Sequence, residues 1–204
     1  MLFKPRKPTG PLTTPLRLTT APVSGLFAGT LIATPDRWAP VEELEPGDMV
    51  WTSGQGAQEI TRVEHGQLNV AKTLAAARQW PLMVPAGALG DNASLLLAPS
   101  MRLVVDDPAV SYLFETDRAS LKAEALVGFQ GVARAREATD LSHVRLGFSV
   151  PVTLVLEGGG FLDMPNDNGV YRHMPLDERQ SRLLIRHLGE AGRKSSVVSS
   201  ETWI

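Results

Sequence analysis

Gly25-Leu26-Phe27-Ala28-Gly29-Thr30-Leu31-Ile32-Ala33-Thr34-Pro35 runs into Pro40-Val41-Glu42-Glu43-Leu44 and then Pro46-Gly47-Asp48-Met49-Val50-Trp51-Thr52. Thr30 to Ala33 and Asp48 to Thr52 are rich in β-branched and large apolar side chains, and Gly or Pro stands at their ends, so both read as short strands. Between them Glu45-Pro46-Gly47-Asp48 reads as a type II turn. Proline sets φ at its second position, and glycine takes the positive φ at its third.

The same punctuation continues downstream. The 18 glycines and 15 prolines divide the 204-residue chain into short pieces. Further strand-like runs are Glu59 to Glu64, Ser94 to Leu97, Arg102 to Val105, Ser111 to Glu115 and Val152 to Leu156. Many short strands with turns between them predict an all-β barrel-like or sandwich-like body. Helical signal is confined to Ala71 to Ala77, Arg118 to Leu126 and Asp177 to Leu188. In the last, Asp177 and Gln180 have capping-box spacing and Gly189 offers a stop, while Leu184, Ile185 and Leu188 share a face. His65-Gly66 reads as a turn.

Hydrophobic residues at 43% and charged residues at 21% describe an ordinary globular chain. Twenty Lys+Arg against 22 Asp+Glu leave a charge of −2, which gives no basic excess for nucleic acid. The absence of cysteine excludes disulfides, thiolate metal sites and a cysteine nucleophile. No apolar run approaches the roughly 18–20 residues of a spanning helix. Residues 1–23 carry Lys4, Arg6 and Lys7, but prolines replace any apolar core of a signal peptide, so no cleavable leader is expected there. That segment is expected to be a Pro-rich extended arm, and Lys194 to Ile204 a Ser-rich frayed end.

Patterns with generic chemistry fail on inspection. Gly158-Gly159-Gly160 lacks the later glycine of a dinucleotide loop and reads as a tight turn. In Asp163 to Gly169, aligning Gly169 to a calcium-loop glycine puts Met164 and Pro175 at ligand positions, so turn chemistry is the better account. His65, His143, His173 and His187 have no metal-site spacing, and no metal or cofactor is expected. Asp106 and Asp107 are chain neighbours that point apart on extended backbone.

The opening block resembles the bacterial Hedgehog/intein (Hint) domain family, in which a nucleophile precedes a phenylalanine and Gly-Thr, followed by Ala-Thr-Pro, a Pro-Val-Glu-Glu-Leu turn and Gly-Asp before a strand. Pro85 to Gly90 and Leu95 to Leu103 are similar to the family's next segments, and Leu121 to Val127 and Leu156-Glu157-Gly158 more faintly so. The likeness covers roughly residues 24–165. It implies a mainly β, compact, pseudo-symmetric Hint-type fold, followed over residues 166–204 by a C-terminal α-helix and the Ser-rich tail.

It also implies self-cleavage. In such domains a cysteine or serine attacks the preceding carbonyl, and threonine and histidine side chains assist. At the equivalent positions this chain has Gly25 for the nucleophile, Ala98 and Met101 in the histidine segment, and Pro151 for a further histidine. Thr30, Pro40, Glu42, Gly47 and Asp48 are kept. Methionine for histidine forfeits acid/base help of ~10²–10⁴. The expectation is a Hint domain with its autoprocessing lost, acting as a structural or interaction module. Its partner would be another protein or its own N-terminal arm, bound in a cleft made apolar by these replacements. The alternative is active cleavage near Ser24-Gly25, with Ser24 attacking the Val23 carbonyl.

Overall fold

A computed structural model describes residues 24–69, 74–88, 93–138 and 140–190. The 1–23 arm, Lys194 to Ile204 and part of the Ala71 to Ala77 run lie outside the described residues.

The described chain is mainly β. Its first strands are β1 (Leu26–Phe27), β2 (Leu31–Ala33), β3 (Trp38–Pro40), β4 (Met49–Thr52), β5 (Gly56–Glu59) and β6 (Arg62–Asn69). The expected Glu45–Asp48 turn links into β4: Gly47 has φ +98°, and Asp48 N–H donates to Glu45 O at 3.1 Å. The Glu59 to Glu64 run is broken at Ile60 and Thr61. Ile60 is fully buried there as the chain passes from one sheet to the other.

A 3₁₀ turn, Leu74–Gln79, precedes β7 (Leu82–Val84), β8 (Leu95–Leu97) and β9 (Arg102–Val105). Two expectations then fail. The Ser111 to Glu115 run is not a strand: its first four residues end helix α1 (Pro108–Phe114) and Glu115 caps it at φ +56°. Asp107 Oδ1 accepts from Ala109 N at 2.8 Å and Pro108 opens the first turn, so an N-cap overrides the strand propensity of Tyr112, Leu113 and Phe114. Arg118 to Leu126 is not an α-helix either. It forms β10 (Ala119–Lys122) and a 3₁₀ turn, Ala123–Leu126. Residues 119–122 pair antiparallel with 105–102, and Ala119, Ser120 and Leu121 are all buried. Sheet pairing outweighs the helix preference of those residues.

The chain continues through β11 (Ala133–Arg134), β12 (Asp140–Gly147), β13 (Val152–Val155), β14 (Phe161–Met164), β15 (Met174–Pro175) and helix α2 (Glu178–Glu190). One sheet has the order β11-β7-β8-β1-β12-β6, a second β15-β10-β9-β14-β13-β4-β5, and β2 and β3 pair as a two-stranded third. Leu26, Leu97, Leu103, Phe148, Leu154 and Leu162 lie in the core that the sheets enclose.

His65-Gly66 is no turn; both lie inside β6, opposite Val144 and His143 of β12. At α2 the capping box forms as expected: Gln180 N donates to Asp177 Oδ1 at 2.8 Å and Asp177 N to Gln180 Oε1 at 3.0 Å. Leu184 and Leu188 anchor the helix in the core. Gly189 does not stop it, because α2 runs on to Glu190 without a positive φ there. No helix of the described residues is long and apolar enough to cross a membrane.

Candidate functional site

Strand β1 sits between β8 and β12, with Leu26 opposite Leu97 on one side and Val144 on the other. Continuing the β8 register by one residue puts Gly25 opposite Ala98. A turn then returns Met101 to the same spot, since Met101 N donates to Ala98 O at 3.0 Å. Met101 Sδ in turn accepts the Gly25 amide hydrogen at 3.3 Å. Residue 25 therefore meets residues 98 and 101, which are distant from it in sequence, at the N-terminal end of β1.

Ser24, Gly25 and Met101 line a cleft of about 320 Å³. Its other walls correct one expectation, because they are not apolar. Arg62, Arg102, Arg145, Glu64, Asp163 and Asp167 all contribute. Arg62 pairs with Glu64 and Asp167, each at 3.4 Å, and Arg145 with Glu64 at 3.5 Å. These half-exposed pairs each add roughly 0–1 kcal/mol. Met101 itself carries no proton, while the rim around it is charged.

Gly25 has φ +137°, a backbone region that L side chains rarely adopt. A Cβ placed on it would lie 2.9 Å from Val144 O, 3.1 Å from Arg145 Cγ and 3.1 Å from His143 Cδ2. Backbone and side chains of β12 thus close over the place where any side chain at position 25 would begin. The same imidazole covers a second glycine. A Cβ on Gly66 would lie 2.5 Å from His143 Cε1, so β1, β12 and β6 approach one another through two glycines flanking one ring. Burial, and then the Arg145 charge, hold His143 below its ordinary value. Its Nδ1 is buried with no hydrogen-bond partner.

Asp163 of β14 is the buried carboxyl of the cleft, 1% exposed. Its Oδ1 accepts the Arg172 amide at 3.3 Å and so pins the chain that returns to β15. Burial raises its pKa; the Ser120 hydroxyl, the amides of Arg172 and His173, and Arg102 offset part of that. Even so, neither Ser120 Oγ nor Asp163 Oδ2 completes a hydrogen bond of good geometry. Beyond Asp163, His173 Nε2 meets Thr153 Oγ1 at 2.8 Å. Its pKa is lowered to about 4, by burial first and then by Arg172 and Arg118, with Asp106 opposing.

The remaining expected positions do other work. Thr30 Oγ1 donates to Phe27 O at 2.7 Å and its carbonyl accepts from Val41, so it secures the turn after β1. Ala98 is fully buried behind Met101. Pro151 does not line the cleft and does not lie on an edge; it precedes β13, an interior strand, and its carbonyl accepts from Gln55 Nε2 at 3.3 Å. Sequence reasoning weighed His143 only as a metal ligand and Asp163 only as part of a turn, and brought neither to Gly25 or the cleft, although the Gly66 opposite His143 is a trace of its ring.

The family model for the Hint domain matches residues 24–161, well over half of the chain, and takes in the cleft's walls from Ser24 to Gly147 but not those from Asp163 onward. The chain belongs to the Hint domain family. Among solved structures, this Hint domain is similar to a bacterial intein-like domain from Clostridium thermocellum, determined in solution. The two are 10% identical, the match covers 69% of this chain and 99% of that one, and the TM-score is 0.49. No curated protein matches the chain.

Proposed function

We propose that this Hint domain no longer cuts its own chain efficiently and serves as a structural or interaction module. The surroundings of Gly25 carry this reading. The position equivalent to the family's nucleophile has no side chain, and a Cβ there would press against Val144 O at 2.9 Å. Its amide is engaged by a thioether, which neither donates nor carries a proton at accessible pH. Removal of the nucleophile eliminates the covalent route itself.

The second reading rests on Ser24, which lines the same cleft. In that route Ser24 Oγ bonds to the Val23 carbonyl carbon, the Val23–Ser24 C–N bond breaks, and the freed amine takes up the proton. The resulting ester is cut by hydroxylamine. Intact mass of the purified chain, followed over days with hydroxylamine, separates the two readings. A persistent full-length species is expected. Cleavage between residues 23 and 24 that disappears in Ser24→Ala would overturn the proposal.

A further inference from the structure

Helix α2 and the elements beneath it carry a concentration of cations that the overall charge of −2 conceals. Arg78, Arg102, Lys122, Arg134 and Arg182 line a groove of about 580 Å³ beside the 3₁₀ turn at Ala123–Leu126. Arg182 and Asp177 also line a second hollow, of about 680 Å³, with Arg179 and Arg186. The two hollows therefore adjoin across these two side chains. Together they hold seven of the chain's 20 Lys and Arg against three acids, Glu124, Asp177 and Glu178.

Those acids neutralise only part of the surface. Lys122 reaches Glu124 at 3.8 Å and Arg182 reaches Glu178 at 3.3 Å. Among the described residues, Arg78, Arg179 and Arg186 have no ion-pair partner. Two exposed aliphatic side chains lie among the charges: Val127 in the groove and Leu183 on the outer face of α2, at 43% and 47% exposure.

We infer that this surface docks an acidic segment of a partner protein, with carboxylates on the arginines and aliphatic side chains against Val127 and Leu183. The charge complementarity selects a peptide over other polyanions. Guanidinium forks match carboxylates two oxygens at a time. The interleaved Glu124, Asp177 and Glu178 would repel the unbroken phosphate array of a nucleic acid or an anionic membrane, but are accommodated by a chain whose acidic residues are spaced. The inference rests on the interaction-module reading and gives that module a partner class.

The test is fluorescence anisotropy of the full chain with a short dye-labelled peptide of Glu, Ala and Leu, at low salt. Saturable binding that weakens as salt rises is expected. Arg134→Glu with Arg182→Glu is expected to weaken it about tenfold or more, while Arg37→Glu, on the β2–β3 turn, leaves it unchanged. Thermal unfolding of each variant separates lost charge from lost fold. Absence of binding, equal affinity of the double variant, or tighter binding of duplex DNA or phosphatidylserine vesicles overturns the inference. The readout does not depend on chain cleavage, so a cutting result would overturn the preceding reading alone.

Discussion

Gly25 and Met101 stand 76 positions apart in the chain, yet the glycine amide donates to the methionine sulfur across 3.3 Å. This contact ties the entry of β1 to the turn before β9, and the methionine side chain is almost fully buried. Met101→Ala is expected to cost about 2–4 kcal/mol through the cavity it leaves. Met101→Leu keeps the volume but deprives the Gly25 amide of its acceptor, and about 1 kcal/mol is expected. Urea unfolding of both variants checks the order.

Placing a serine at position 25 is expected to harm the fold without producing cleavage there. Gly25→Ser brings a Cβ to 2.9 Å from Val144 O on a backbone with φ +137°. Overpacking and the unfavourable φ together suggest about 2–4 kcal/mol. Urea unfolding and intact mass on the same sample measure both consequences.

The His143 ring and Gly66 are expected to be coupled. Gly66→Ala places a methyl 2.5 Å from His143 Cε1 and is expected to destabilise by about 1–3 kcal/mol. In the His143→Ala background the three atoms nearest that methyl are gone, and most of that cost should vanish. A double-mutant cycle gives the coupling directly; additivity would show that the ring turns aside freely.

His173 makes stability depend on pH. Its pKa falls from 6.5 in the unfolded chain to about 4 in the fold. Between those values the unfolded state binds a proton that the native state refuses, so stability is full above 6.5 and is lost as pH falls towards about 4. Discounted for partial exposure, the loss is about 1–2 kcal/mol. Unfolding of His173→Gln across that range should show a flatter profile.

Asp163 has the opposite sense. Its raised pKa means that the native state holds the proton more tightly than the unfolded chain does. Stability therefore declines as pH rises from 3.8 through the folded value. Asp163→Asn keeps the Oδ1 acceptor for Arg172 and gives the Ser120 hydroxyl a donor. It should be neutral or stabilising by up to about 1 kcal/mol near neutral pH. Asp163→Ala frees the Arg172 amide and should destabilise. Unfolding near pH 4 and near neutrality separates these outcomes.

Features set by a few consecutive residues were legible before any coordinates. The Glu45–Asp48 turn needs one proline and one glycine, and the Asp177–Gln180 box needs two side chains within one helical turn. Both close their hydrogen bonds locally, so nothing distant competes. The opening strands and the family motif are of the same kind, and they brought positions 25, 98 and 101 into consideration. The misreadings arose where a non-local partner or a neighbouring cap prevailed. Residues 119–122 became a strand because β9 was there to pair with, and residues 111–114 became helical because Asp107 and Pro108 started the turn.

The amino-acid order alone established a cysteine-free, turn-rich β chain that opens on a Hint-type motif. Packing alone settled that β12 closes over Gly25, that one imidazole lies between two glycines, and that the cleft keeps a charged rim. Each of these depends on backbones brought together from distant parts of the chain, and the distance between two strands is a property of the folded sheet that no local run of residues encodes.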